Sequence, residues 1–311
     1  MNESLDIVFM GTPDFAVPAL RALGGSRHRV LRAITRPDRP RGRGRKSAEP
    51  AVKSAARTLA IPVDQPGSIR TPEFLDAMAA LAPDLVVVVA FGRILGEPLL
   101  RIPRLGVVNI HASLLPRYRG PAPIQWALID GEAETGVTTM AMDAGLDTGD
   151  ILLERRAPIG PDDTAGTLHD RLSELGAELL LETLDRIETL RPKPQDPDRS
   201  SYAPMLKKAD GHISWDQPAA RIDFRVRGVT PWPGAYCFID GRRVKLFRVR
   251  IPNEPADAPP GTVVPGFPDE LRVAAADGAV SLLELQGESG KRMPVADFLR
   301  GFPVPPGTVL T

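Results

Sequence analysis

The sequence predicts an α/β domain built on an open, mostly parallel sheet, followed by a smaller β-barrel. Three observations carry this. Short β-branched runs, above all Leu85–Ala90 (LVVVVA) and Gly106–Ile110, recur between helical stretches, as buried parallel strands do. Arg191–Ser201 contains three prolines and no other apolar residue, and reads as an extended linker. After it the pattern changes to short strand-like runs separated by turn pairs such as Asp240-Gly241 and Asp277-Gly278, the texture of a small barrel.

In chain order, Leu5–Gly11 is a first strand, and Asp14 is placed to cap a helix that runs to about Leu23. The turn between them, Gly11-Thr12-Pro13, has one glycine where a dinucleotide site needs three, which argues against a nicotinamide cofactor there. Arg29–Thr35 is the second strand. Arg36–Lys46 follows with six basic residues against one acid, Asp38, and its glycines and prolines predict a mobile loop with no regular element. Ala51–Ala60 is a helix and Ile61–Val63 a short strand. Thr71–Leu81 is a helix with Thr71 as N-cap and Pro72 in the first position.

Leu85–Ala90 is a central strand, Gly106–Ile110 another, and Pro123–Ile129 a helix. Thr135–Met142 and Ile151–Pro158 flank a glycine-rich turn and read as a hairpin added antiparallel to the sheet. Thr164–Leu190 carries a helical stripe through Leu168, Leu172, Leu175 and Leu179. Past the linker come a strand at His212–Trp215, a helix at Ala219–Val229, and strands at Ala235–Ile239, Arg243–Ile251, Gly261–Val264, Leu271–Ala275 and Val280–Gln286. The expected organisation is a domain over 1–190, a linker over 191–208 and a barrel over 209–311.

Composition sets outer bounds. The 311 residues suit about two domains, and 39 basic against 39 acidic residues leave a formal charge of zero, so any nucleic-acid site must come from local clustering. The single cysteine, Cys237, excludes an internal disulfide framework, and no His/Cys cluster has metal-ligand spacing, so no metal is expected. The N-terminus has no basic, apolar leader, and no apolar run approaches the ~20 residues of a membrane span. A cytoplasmic protein is the expectation.

The chemistry concentrates where the second central strand ends. Asn109 and His111 alternate with Ile110, so in a strand both project to one face. The C-terminal end of a strand is where open α/β sheets bind ligands. Pro116 then ends the strand. Taken alone, an Asn-x-His pair reads more often as a strand-end cap. A third polar group is available in Asp147, which sits in the glycine-flanked turn Gly145–Gly149. An aspartic-protease reading of Asp147-Thr148-Gly149 needs a second copy, which is absent.

The long string Asn109-x-His111-x-Ser113-Leu114-Leu115-Pro116-x-x-Arg119-Gly120, with Leu146-Asp147-Thr148-Gly149, resembles the signature of the folate-dependent formyltransferases. Gly11-Thr12-Pro13, the basic loop and Pro231-Trp232-Pro233-Gly234-Ala235 extend the resemblance over the whole chain. It implies a Rossmann-like catalytic domain, an OB-like second domain, and transfer of a formyl group from 10-formyltetrahydrofolate to an amine without a covalent enzyme intermediate. It implies catalytic roles for Asn109, His111 and Asp147, folate contacts from Ser113, Leu114, Leu115 and Pro116, and a pterin pocket helped by Phe91 and Ile94.

The basic loop favours the tRNA-directed branch of the family, and the resemblance then implies initiator methionyl-tRNA as partner, with the loop residues Arg41, Arg43, Arg45 and Lys46 at its acceptor end; a monomer is the expectation. Arginine's planar fork suits phosphate. Two features depart from that branch. Met205 stands where the family more often has a basic residue, and residues 209–311 carry 12 basic and 12 acidic side chains. An amino-sugar-nucleotide N-formyltransferase is the alternative, sharing the same three polar residues. A hydrolase domain of the formyltetrahydrofolate dehydrogenase type and a non-enzymatic RNA-binding protein are the more remote readings.

Overall fold

The computed structural model describes residues 4–41, 46–267, 269–288 and 290–311. The chain divides into two compact units, one of Met1–Pro123, Thr135–Pro158 and His169–Ala203, the other of Ile124–Glu134, Ile159–Leu168 and Pro204–Thr311. The elements begin with β1 (Asp6–Gly11), α1 (Val17–Gly24), β2 (Arg29–Ile34), β3 (Arg39–Arg41), β4 (Lys46–Ala48), α2 (Ala51–Thr58), β5 (Val63–Asp64) and α3 (Pro72–Ala80). They continue with β6 (Leu85–Val89), α4 (Glu97–Leu100), β7 (Val107–His111), α5 (Pro123–Ile129), β8 (Glu134–Ala141), β9 (Ile151–Pro158) and α6 (Ala165–Arg186).

The first unit is organised by a seven-stranded sheet in the order β5-β2-β1-β6-β7-β8-β9. The pairings from β5 to β7 are parallel and β7 pairs antiparallel with β8, as the hairpin pattern predicts. β6 is buried along its whole length, which is why it is written in Leu and Val without alternation. Each such side chain contributes about 1.5–3 kcal/mol on burial. The register aligns Val8 with Val86 and Met10 with Val88 across β1 and β6, and Val86 with Val107 and Val88 with Asn109 across β6 and β7. On that face Val8, Met10, Val86, Val88 and Val107 form one core cluster with Met78 of α3 and Leu99 of α4.

The other face packs on α6. A Cβ at Gly176 would stand 2.9 Å from Ile110 Cγ2, so only glycine lets the helix lie this close to β7. A glycine inside a helix costs about 1 kcal/mol against alanine, here offset by the packing it permits. Chain order reverses at β1, which has β2 on one side and β6 on the other. Their carboxyl ends therefore open the crevice in which such sheets hold ligands.

Several expectations need correction. Asp14 does not cap α1: it lies within a 3-10 turn, Asp14–Ala16, through which the chain enters the helix. Thr71, by contrast, caps α3 as expected, accepting from Phe74 N at 3.4 Å. The basic segment is not free of regular structure. β3 and β4 pair antiparallel, with Arg39 opposite Ala48 and Arg41 opposite Lys46. An isolated two-stranded ribbon has only edges, so Pro40 can sit where its missing N–H is not needed.

In the second unit α7 (Ala219–Gly228) precedes β10 (Ala235–Ile239), β11 (Arg242–Arg250), β12 (Val263–Val264), β13 (Leu271–Ala274), β14 (Ala279–Gln286), β15 (Met293–Pro294) and α8 (Val295–Gly301). The strands form a curled six-stranded antiparallel sheet ordered β10-β11-β14-β13-β12, with β15 on β14. The C-terminal residues link its two edges. Thr311 and Phe238 exchange backbone hydrogen bonds of 2.6 and 3.0 Å, and Leu310 N donates to Gly261 O at 2.8 Å. This is the expected OB-like barrel. Along β10 Ala235, Cys237 and Ile239 point inward, and burial pushes the Cys237 thiol up to about 12. His212–Trp215 is not a strand: it makes only a single bridge, His212 to Tyr236. The short β15 and α8 carry too few residues for a legible period.

His28 gives the first unit a predictable acid sensitivity. It is buried, and its Nδ1 accepts from Leu5 N at 3.2 Å, so the fold requires a lone pair there. Burial, reinforced by the neighbouring Arg27 charge, holds the imidazole below its ordinary pKa. The unfolded chain therefore binds a proton more readily than the folded one. The stabilisation is complete above the unfolded value of about 6.5 and is lost as pH falls below it toward the lowered folded value. Melting temperature measured across this range should fall less steeply in His28→Gln, whose amide oxygen still accepts from Leu5. An unchanged slope would remove His28 from the acid response.

Candidate active site

Asn109 and His111 stand on the face of β7 that carries Val107, two and four residues past the apolar core. Opposite them on β8 are Met140 and Thr138. The face thus changes from apolar to polar at the carboxyl end of the strand. Both residues are nearly buried, at 8% and 6% exposed. The Asn109 side chain makes no hydrogen bond with another described residue, so its amide is available to a ligand.

His111 is bonded at one ring nitrogen and faced by a carboxylate at the other. Its Nε2 lies 2.8 Å from the carbonyl oxygen of Tyr118, which can only accept, so Nε2 carries the hydrogen. In the neutral ring the lone pair is then on Nδ1. The Asp147 carboxylate faces that nitrogen, with Oδ2 at 3.8 Å. The two halves of the sequence signature, 36 positions apart, do meet.

Asp147 is held in turn. Its Oδ2 accepts from Gly120 N at 2.8 Å. Its backbone is left-handed at φ 53°, a conformation that aspartate tolerates better than most residues but that still costs about 1 kcal/mol. A Cβ on Gly149 would fall 1.8 Å from Ala141 O, so glycine is required for this turn to close on the end of β8. In the same turn Thr148 Oγ1 donates to Asp143 Oδ1 at 2.7 Å.

The segment after β7 is mostly used to build the turn. Ser113 Oγ donates to Arg117 O at 2.7 Å, and Thr138 Oγ1 donates to Ser113 O at 2.7 Å while accepting from Leu115 N at 3.2 Å. Leu115 packs with Met140 and Ile151. Leu114 and Pro116 are half-buried. Phe91 lies in the core with Val88 and Leu95 and is 2% exposed. Ile94 is 59% exposed and, with Leu95, Gly96, Pro98 and Ala144, lines a cleft of about 430 Å³.

Sequence reasoning missed Tyr118 and Gln195. Gln195 falls in the expected linker, yet its Nε2 donates to Asp147 O at 2.9 Å and Gly149 O at 2.7 Å. Nothing in a Pro-Lys-Pro-Gln-Asp-Pro string announces such contacts.

Of the four basic-loop residues, Arg43 and Arg45 lie outside the described residues, as do the side chains of Arg41 and Lys46. The loop's acid is anchored at the loop entrance. Lys53 Nζ binds both Asp38 oxygens at 2.8 and 2.7 Å, and Gln65 adds a bond of 2.7 Å, which together hold the Asp38 carboxyl below its ordinary pKa. On the barrel, Arg248 pairs with Asp162 at 3.4 Å and Arg250 with Glu270 at 3.0 Å, while Arg243 lies 3.7 Å over the Tyr236 ring. Among the described residues no group of three His, Cys, Asp or Glu side chains is placed to hold a metal, and no helix is long and apolar enough to cross a membrane.

Comparison with known proteins agrees with the resemblance. The family model described as formyl transferase matches residues 5–184, and that described as formyl transferase, C-terminal domain, matches 205–303. A methionyl-tRNA formyltransferase of Geobacter sulfurreducens is 53% identical over 309 residues, covering 98% of this chain and 96% of its own. One from Citrifermentans bemidjiense is 51% identical over 306 residues, with 98% and 96% covered. Among solved structures, an N-formyltransferase of Helicobacter canadensis in complex with folinic acid and dTDP-3-aminofucose shares the fold, with a TM-score of 0.67 at 19% identity over 93% of this chain and 100% of its own. With both models matched in sequence and about half of all positions identical to these relatives, the chain belongs to the formyl transferase family.

Proposed function

We propose that this protein transfers the formyl group of 10-formyltetrahydrofolate to the α-amine of initiator methionyl-tRNA, as a monomer in the cytoplasm. The observation that carries the reading is the Asn109, His111 and Asp147 group in a chain 53% identical, nearly end to end, to a protein of that name. The folate's pterin ring occupies the cleft that Ile94 lines, with Phe91 supporting its wall from the core and Leu114 and Pro116 at its formyl end.

The amine attacks the formyl carbon, and the carbonyl oxygen becomes an oxyanion. Asn109 donates its uncommitted amide N–H to that oxygen, a contact worth roughly 3 kcal/mol. His111 Nδ1 takes the proton that the amine sheds and returns it to the N10 nitrogen of tetrahydrofolate as the C–N bond to the folate breaks. Asp147, facing Nδ1, supports the imidazolium formed between these steps. The test is direct. Supplied with charged initiator tRNA and 10-formyltetrahydrofolate, the protein should yield N-formylmethionyl-tRNA, and failure to do so would sink the reading. The amino-sugar-nucleotide alternative is less supported, since the enzyme of that kind stands at 19% identity.

The basic loop separates the two substrates. Arg43→Ala should raise KM for methionyl-tRNA, lower kcat through misplacement of the amine, and flatten the salt dependence by about one unit of slope. Folate binding should stay intact. Steady-state formylation at several salt concentrations, beside a folate titration, checks this. Unchanged tRNA kinetics at every salt would make the loop a solvated charge run.

A further inference from the structure

We infer that Gln195 is a positioning residue that, with Arg119, clamps the Asp147 turn against His111; the inference rests on the catalytic reading above. The geometry is complete on its own terms. Gln195 Nε2 has two hydrogens, and two carbonyls receive them, Asp147 O at 2.9 Å and Gly149 O at 2.7 Å. Its Oε1 accepts from Arg119 Nε at 2.9 Å and from a terminal guanidinium nitrogen at 2.7 Å. A flipped amide would set its NH2 against Arg119 donors and its oxygen against two carbonyls, so the network fixes the orientation.

The clamp acts where the backbone needs it. Asp147 is left-handed at φ 53°, and the Gln195 amide binds the carbonyl of that same residue. The Asp147 carboxylate is thereby held for Gly120 N and for the side of His111 that carries Nδ1.

The segment bearing Gln195 is itself tied down on both sides. Lys193 and Ile151 exchange backbone bonds of 2.8 Å each way. Arg119 N donates to Ser201 O at 2.8 Å, and Ala203 N donates to Arg119 O at 2.7 Å. Ser201 Oγ also accepts from Tyr118 N at 2.8 Å, and the carbonyl of Tyr118 is the partner of His111 Nε2. One strap, made of two single bridges joined through a 3-10 turn at Pro197–Arg199, thus braces both neighbours of the imidazole.

The test compares Gln195→Leu and Gln195→Glu with Asp147→Asn and with the doubles. Gln195→Glu keeps the Arg119 contact and the side-chain size, so it carries the test if the leucine variant does not fold. It still removes both donors to the turn. Expected for either variant is a fall in kcat of roughly 10–100-fold, the scale of a small misplacement, with KM for 10-formyltetrahydrofolate unchanged. In the doubles Gln195 should add little to the loss caused by Asp147→Asn. The ring-nitrogen NMR signals of His111 in histidine-labelled protein should move in the Gln195 variants, although the side-chain amide of residue 195 is bonded to Arg119, Asp147 O and Gly149 O and not to the ring. That readout needs no substrate, so it stands even if methionyl-tRNA proves to be the wrong acceptor. Wild-type kcat and unmoved His111 signals in both variants, beside a damaged Asp147→Asn, would overturn the clamp alone. Losses that multiply with that of Asp147→Asn, or that follow melting temperature with the His111 signals unmoved, would also overturn it. An Asp147→Asn enzyme with full activity would overturn the clamp and the catalytic reading together.

Discussion

His111→Asn should lower kcat by at least ~100-fold, the usual scale for losing a general acid–base group, and should leave 10-formyltetrahydrofolate binding nearly unchanged. The imidazole is committed at one end only. Its Nε2–H is spent on the Tyr118 carbonyl at 2.8 Å, which fixes the ring plane, while in the neutral ring Nδ1 keeps the lone pair. Asparagine offers no ring nitrogen that could take up and return a proton in that place. His111→Gln is the sharper control, because its amide can still donate to Tyr118 and spare that carbonyl from being left unpaired. If both variants lose activity equally while melting near wild type, the loss belongs to proton transfer. If glutamine restores near wild-type turnover, His111 holds the turn and moves no proton.

How much of this was legible in the sequence depends on the kind of interaction. The parallel strands were, because burial on both faces writes itself as runs such as Leu85–Val89. The shared face of Asn109 and His111 followed from the two-residue period of a strand, and the register with Met140 and Thr138 bears it out. The meeting of Asp147 with His111 came from resemblance; no periodicity joins residues so far apart. The strap at 193–203 was invisible for a physical reason. It is held by backbone hydrogen bonds, one amide and one hydroxyl, and such contacts impose no apolar pattern. The ribbon of β3 and β4 was hidden by its glycines and prolines, which signal turns whether or not a ladder closes beneath them. The His212–Trp215 expectation erred in the other direction. Ile213 and Trp215 alternate because both are buried, and burial with alternation does not require a strand partner.

Asn109→Leu should separate stability from catalysis more cleanly than any other change here. In most buried sites, removing a polar side chain strands its partner and costs about 1–3 kcal/mol. Asn109 is 8% exposed, yet its amide has no hydrogen-bond partner among the described residues, so leucine of similar size strands nothing. It also adds apolar surface beside Val107, Val88 and Met140, where the core already ends. The resting protein should therefore melt at or above the wild-type temperature. The reaction should suffer, because the oxyanion loses a preorganised donor. Loss of such a donor lowers kcat by about 10²–10³-fold. KM for either substrate should change little, since the contact strengthens only as the oxygen gains charge. A stability gain joined to a large kcat loss is the signature of a group kept for the transition state. A variant that instead melts lower and retains its turnover would make Asn109 a structural residue and leave the oxyanion without its assigned donor.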